Sequence, residues 1–220
     1  MSTPFTHALR DFWDVPTLEQ AQHERVTVPP QPEAWNPTHQ DRLVDQLFAD
    51  VDLKPGSRLL DYGCGVGRIA RPLARRGHRI VAVDVSPKML AHCAAYCAEF
   101  DAIEYVLSDG WGVQSVPTAS IDGAYSFYVF QHMPSAAMAK AVLADLHRVL
   151  RPGGWCKVQT VDIGTDQPVS KVGFHGERQT ATFLLASARA AGFRQMRLES
   201  TPDEGLELLI LSAQRLQECQ

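Results

Sequence analysis

An acid and three glycines carry the strongest chemical signal in this chain. They lie in Leu59-Leu60-Asp61-Tyr62-Gly63-Cys64-Gly65-Val66-Gly67-Arg68, an apolar run that ends in a carboxylate and then turns through glycines spaced two apart. Glycine permits left-handed backbone and close main-chain approach, so such a turn lets a ligand lie directly on the backbone. A dinucleotide-binding turn would carry its third glycine where Arg68 stands. A carboxylate at Asp61 would also repel a pyrophosphate, whereas it pairs with an ammonium group. The pattern therefore favours a cationic, phosphate-free nucleoside ligand, and S-adenosylmethionine (SAM) has that chemistry. A nicotinamide-dinucleotide oxidoreductase is disfavoured on the same two grounds, and a plain structural turn is the bland alternative.

The surrounding elements supply the context that such a turn needs. Pro55-Gly56 launches a strand over residues 57–62, and a helix over 67–76 stops at Gly77. A second strand over 79–84 ends in Asp84, about twenty residues past the glycines, where an acid accepts hydrogen bonds from ribose hydroxyls. Further strands are predicted over 103–107, 121–128 and 155–161, with helices over 87–99 and 136–150. This alternation implies a parallel sheet wrapped on both faces, with ligands beyond the carboxyl ends of its strands.

These residues resemble the class I SAM-dependent methyltransferases. Asp61 to Gly67 is similar to the first motif of that family, and Val81-Ala82-Val83-Asp84-Val85-Ser86-Pro87-Lys88-Met89-Leu90 to the second. Leu107-Ser108-Asp109-Gly110, Ser120 to Phe127 and Leu146-His147-Arg148-Val149-Leu150-Arg151-Pro152-Gly153-Gly154 resemble the three that follow. The resemblance covers roughly 53–161 and fades on both sides. It implies an α/β, Rossmann-like three-layer sandwich, with a seven-stranded, mostly parallel sheet whose last strand is antiparallel. A helix over 180–191 and strands over 193–199 and 207–213 would close that sheet. It further implies that Asp61, Gly63, Cys64, Gly65 and Gly67 contact the methionine part of SAM and Asp84 the ribose. Val85 and Met89 would flank the adenine, Asp109 would accept from its amine, and Ser108 or Gly110 would give backbone contacts. Phe127 would face the methyl group. For Val85, Met89 and Phe127 the alternative is core packing; for Asp61 and Asp84 it is capping or turn formation.

Methyl transfer is an in-line displacement that mainly needs alignment and exclusion of water, so a base is optional. His132, in Gln131-His132-Met133-Pro134 after the fourth strand, is the candidate base, against a role in merely orienting the next helix. The glycine-punctuated stretch 162–179, with Phe174, His175, Glu177 and Arg178, is the candidate acceptor loop; a solvated loop is the alternative. Full activity after its deletion would refute the acceptor role.

Composition bounds the rest. At 220 residues and 45% hydrophobic content the chain is read as a single domain: an extension over 1–52, a core over 53–161 and a closing part over 162–220. A net charge of −4 with interspersed signs gives no basic footprint for nucleic acid, and modest size favours a small-molecule acceptor. Neither a leader pattern nor a membrane-length apolar run is seen, so a cytoplasmic location is expected. Five cysteines at irregular spacing read as free thiols; Cys93 and Cys97, beside His92, fit a packed helix face better than a metal site, and no metal is expected. Phe12, Trp13 and Trp35 either line a lid over the cofactor or anchor the extension. A SAM-binding regulator or scaffold without turnover, or transfer of a group other than methyl, would share every one of these cofactor features.

Overall fold

Short polar residues placed just before apolar periodic runs set the helix starts. The computed structural model describes residues 4–22, 32–162, 176–177, 179–203 and 206–216. Pro29 and Pro30, and the loop candidates Phe174, His175 and Arg178, lie outside them. Helix α1 (Pro4–Trp13) and a single turn α2 (Leu18–Gln20) precede α3 (Pro37–Leu47). Asn36 caps α3 by accepting from the Thr38 N–H, with Pro37 at the first helical position. Helix α3 ends at Leu47, with Phe48 donating its N–H to the Val44 carbonyl.

The chain forms two compact units, Met1–Asp109 and Gly110–Gln220. In the first, β1 (Arg58–Tyr62), β2 (Arg79–Asp84) and β3 (Ile103–Leu107) pair in parallel, with Leu60 opposite Val81 and Val83 opposite Val106. The β1 and β2 segments are apolar and buried, as parallel strands covered on both faces must be. Between them lies α4 (Ala70–Arg75), and α5 (Pro87–Tyr96) follows β2, capped by Ser86 Oγ, which accepts from the Met89 N–H at 3.0 Å. Helix α4 starts three residues later than the sequence suggests, because Gly67 sits at φ +84° and cannot be a helical residue. Arg75 of α4 and Arg76 just after it pair with Asp41 and Asp45 of α3. The Arg75 hydrogen bond holds the Asp41 carboxyl below its ordinary value.

In the second unit β4 (Ile121–Ser126) and β5 are parallel, and β5 is a long strand, Leu150–Asp162, where a shorter one was expected. Between them runs α6 (Ala136–Val149), and after β5 comes α7 (Ala181–Ala191), capped by Thr180 and closed by Gly192 at φ +106°. Strands β6 (Arg194–Asp203) and β7 (Leu206–Gln214) pair antiparallel, and β7 also runs antiparallel to β5. Helices α6 and α7 pack on each other, with Leu143, Leu146, Leu184 and Phe193 in the core. The segment from Gly112 to Thr118 is pinned to α6 without forming a helix. Asp145 accepts from the Val113 N–H at 2.5 Å, and Arg148 donates to the carbonyls of Val113 and Val116.

The strand order is β3-β2-β1-β4-β5-β7-β6. This is the expected seven-stranded, mostly parallel sheet with its last strand antiparallel. Among the described residues, no helix is long and apolar enough to cross a membrane.

Candidate functional site

The turn after β1 is built by its glycines and held by the end of β2. Gly63, Gly65 and Gly67 have φ of +78°, +52° and +84°, so each occupies the left-handed region that a side chain disfavours. The Gly63 and Cys64 N–H groups both donate to the Val83 carbonyl, at 2.8 and 2.9 Å. Gly65 N–H donates to Asp84 Oδ2 at 2.9 Å, and Ser86 N–H donates to Asp84 Oδ1 at 2.9 Å. Asp84 therefore clamps the glycine turn to the start of α5. The carboxylate retains acceptor capacity beyond these backbone donors, which is what a ribose hydroxyl requires. Burial raises the Asp84 carboxyl to about 6 against the pull of the Ser86, Gly65 and Val85 N–H groups, and the Asp14 charge adds to the rise.

The other sequence-derived residues of this unit fall around the same turn. Asp61 is buried at the end of β1, while Gly63 and Gly65 are partly open, leaving backbone without side chains for a ligand to lie against. Ser108 follows β3 and donates its N–H to the Asp84 carbonyl at 2.9 Å; Asp109 beside it is half-buried. Val85 is half-buried, and its carbonyl accepts from Arg10 Nε at 3.0 Å. Met89 is 1% exposed, in a cluster with Val15, Ala21 and Val66 against which Trp13, Leu18 and Trp35 pack. Asp14 accepts from Ser86 Oγ at 2.5 Å, and the Val15 carbonyl bonds His92 Nε2 at 3.0 Å. Residues 10–15 thus strap the Val85–His92 segment, with Trp13 and Trp35 as packed anchors.

Cysteines line the underside of the turn. A Cβ on Gly67 would meet Cys93 Sγ at 2.7 Å and Cys97 Sγ at 3.0 Å. The hydrogen bond with Cys93 lowers the Cys64 thiol, but burial and the Asp84 and Asp61 charges outweigh it and push it up to about 12. Cys93 is raised first by its hydrogen bond to Cys64, and Cys97 first by its bond to Cys93. All three remain neutral thiols and act as packing. Among the described residues, no group of three or more His, Cys, Asp or Glu side chains is arranged to hold a metal ion.

The remaining candidates belong to the second unit. Gly110, at φ +90°, is buried at its start, and Phe127 is buried just past β4. His132 closes a 3-10 turn, Phe130–His132, and is half-buried. Glu177, named with the loop, bonds its carboxylate to the Ala136 N–H at 2.6 Å and so caps α6. Sequence reasoning missed three features. The Asp84 clamp was hidden because its partners are backbone N–H groups. Asp14 gave no local signal. Tyr128, 46% exposed at φ +60°, is a bulky residue in left-handed backbone directly after β4, an outlier that the sequence pattern does not announce.

A glycine turn clamped by the acid of the next strand, on a sheet of this order, defines a nucleoside-binding α/β protein. Residues 60–158 match the family model described as a methyltransferase domain. Across these residues the chain carries a methyltransferase domain, of the kind whose cofactor is SAM. It is 36% identical over 150 residues to a malonyl-[acyl-carrier protein] O-methyltransferase of Serratia marcescens, covering 67% of this chain and 56% of that protein. It is 35% identical over 131 residues to the S-adenosyl-L-methionine-dependent Diels-Alderase iccD of Talaromyces variabilis, covering 56% and 44%. The chain spans about half the length of these two curated relatives. Its fold matches phosphoethanolamine N-methyltransferase 2 of Haemonchus contortus in complex with SAM, at TM-score 0.72 and 18% identity over 95% of this chain and 60% of that one.

Proposed function

We propose that this protein transfers the methyl group of SAM to a small-molecule acceptor by in-line displacement. The observation that carries the reading is Asp84, whose two oxygens hold the backbone N–H groups of Gly65 in the glycine turn and Ser86 at the α5 start, with acceptor capacity left for a ribose. When bound, SAM supplies a methyl carbon already activated by its sulfonium. Asp84 holds the ribose hydroxyls, Val85, with Met89 behind it, flanks the adenine, and Asp109 accepts from the adenine amine with Ser108 and Gly110 beside it. Asp61, with the backbone of Gly63, Cys64, Gly65 and Gly67, holds the amino-acid end by charge and close approach. Phe127 excludes water from the methyl, and His132 takes the proton that a hydroxyl or amine acceptor gives up as its lone pair bonds to carbon. Transfer leaves neutral S-adenosylhomocysteine as the C–S electron pair returns to sulfur.

Calorimetric titration with SAM, S-adenosylhomocysteine, NAD and NADP tests the cofactor assignment: the first two bind and the dinucleotides do not. Tight binding of a dinucleotide in place of SAM overturns it. Release of S-adenosylhomocysteine in the presence of acceptor candidates tests turnover. The Diels-Alderase relative favours a second reading, in which SAM is bound while a cycloaddition, which needs no methyl, is catalysed. Substrate conversion without any S-adenosylhomocysteine release would decide for it.

A further inference from the structure

Ser86 joins two carboxylates that lie far apart in sequence. It is fully buried, and its hydroxyl offers one donor and two acceptor sites. An acceptor site caps α5 by taking the Met89 N–H, the donor goes to Asp14 Oδ1 at 2.5 Å, and the Ser86 backbone N–H goes to Asp84 Oδ1 at 2.9 Å. Asp14 is itself held in place. Its N–H donates to the Arg10 carbonyl at 2.9 Å, its Oδ1 also accepts from the Lys88 N–H at 3.4 Å, and Lys88 Nζ donates to its carbonyl at 3.2 Å. Arg10 Nε on the Val85 carbonyl and His92 Nε2 on the Val15 carbonyl fix the chain on either side of it, and Val15 packs with Met89. A segment 72 residues back in sequence thus grips Val85, Ser86, Lys88 and His92, the stretch that follows the ribose acid. All of these residues belong to the first unit.

We infer that Asp14 is a positioning residue for the nucleoside half of the cofactor: by fixing the Ser86 hydroxyl it sets the corner from Asp84 to Ser86 on which ribose and adenine lie, and its charge limits that binding at acid pH. This inference rests on the methyltransferase reading of the same site. Because Ser86 is fully buried, water does not replace Asp14, and loss of the Asp14 oxygen leaves the hydroxyl hydrogen without its acceptor. Charged and titratable groups on the elements around Asp84 are Asp61 of β1, Cys64 in the glycine turn, Asp109 after β3, Arg10 of α1, and Lys88 and His92 of α5. Burial raises the Asp84 carboxyl to about 6, and the Asp14 charge adds to the rise. Ribose hydroxyls donate to an ionised carboxylate, so a like charge that favours its protonated form weakens binding as pH falls. Removing the charge while keeping the oxygen therefore lets the ribose be held to lower pH.

The test is calorimetric titration of the full chain with S-adenosylhomocysteine from pH 5 to pH 8, comparing the unaltered protein with Asp14→Asn and Asp14→Ala. Asparagine keeps an oxygen for Ser86 and loses the charge; alanine loses both. At pH 8 Asp14→Asn binds within about threefold of the unaltered protein, and Asp14→Ala about fivefold or more weakly. The midpoint of the acid loss of affinity moves down by about half a pH unit in Asp14→Asn, so that about threefold more of the pH 8 affinity survives at pH 5. The neighbouring groups are the same in both proteins, so the difference between the two profiles belongs to Asp14. A merely structural contact would scale affinity alike at every pH. Should Asp14→Ala fail to fold, Asp14→Asn decides. An unmoved midpoint, a larger fall at pH 8 in Asp14→Asn, or undiminished affinity in Asp14→Ala overturns the inference while leaving cofactor binding intact. Failure of the unaltered protein to bind S-adenosylhomocysteine instead defeats the methyltransferase reading, and this inference with it.

Discussion

Asp84→Asn separates the two jobs that one carboxylate performs. In the ligand-free fold burial raises this carboxyl from 3.8 to about 6, so ionising it there costs about 3 kcal/mol at 1.36 kcal/mol per pH unit. The sign follows from linkage. Between pH 4 and pH 6 the folded chain holds a proton that the unfolded chain has lost, so stability from this group is fully present below pH 4 and is lost as pH rises through 6. Asparagine does not titrate. The stability of the variant relative to the unaltered protein should therefore improve by up to about 3 kcal/mol from pH 4 to pH 8. Binding runs the other way, because ribose hydroxyls donate to the ionised carboxylate. Replacing two charge-assisted hydrogen bonds by neutral ones, at about 1.5 kcal/mol each, lowers SAM affinity about 100-fold at pH 8. In the unaltered protein that affinity should be flat above pH 7 and fall about tenfold per pH unit below 6; in the variant it should stay level relative to the ligand's own titration. Calorimetry from pH 5 to pH 8 at fixed ionic strength, with urea denaturation on the same samples, reads both quantities. Parallel pH profiles for the two proteins would refute the reasoning, and so would undiminished affinity at pH 8.

Three other substitutions probe the scaffold. Gly67→Ala forces a Cβ into left-handed backbone and against the Cys93 and Cys97 sulfurs, so urea denaturation should show a loss of about 2–4 kcal/mol. That loss should shrink in a Cys93→Ala background, which relieves the overlap but not the φ angle. Tyr128→Gly relieves a left-handed tyrosine and should raise stability by up to about 1 kcal/mol, a melting shift of about 2–4 °C. A simultaneous loss of stability would show that its contacts outweigh its strain. Asp145→Ala leaves the Val113 N–H and the Arg148 guanidinium without their carboxylate and should cost about 1.5–3 kcal/mol by urea denaturation, with SAM affinity unchanged.

What the sequence made legible is what local rules govern. Strands 79–84 and 103–107 were read to the residue, because β-branched apolar runs bounded by turn residues leave little choice. The end of α7 at Ala191 was equally plain, since a glycine after a helix satisfies its end groups locally, whereas Thr180, read as its first residue, is the cap before it. The glycine turn was visible for the same reason, yet its helix was started too early: spacing reveals that glycines are present, not that Gly67 is committed to φ +84°. Long-range features left no trace. Asp84 was singled out for a ribose, but its hold on Gly65 and Ser86 consists of bonds to main-chain N–H groups, which every residue type offers alike. Tyr128 and the contact between residues 130–133 and 176–177 defeat sequence reasoning more thoroughly. A tyrosine after a strand reads as ordinary, and Gln131 and Gln179 belong to separate segments that meet through Gly176 and Glu177. The proposed cofactor contacts were therefore readable because they fall in one contiguous turn and at the next strand's tip. What would border an acceptor was not, because segments distant in sequence, such as 130–133 and 176–177, are brought side by side by main-chain hydrogen bonds that no local pattern announces.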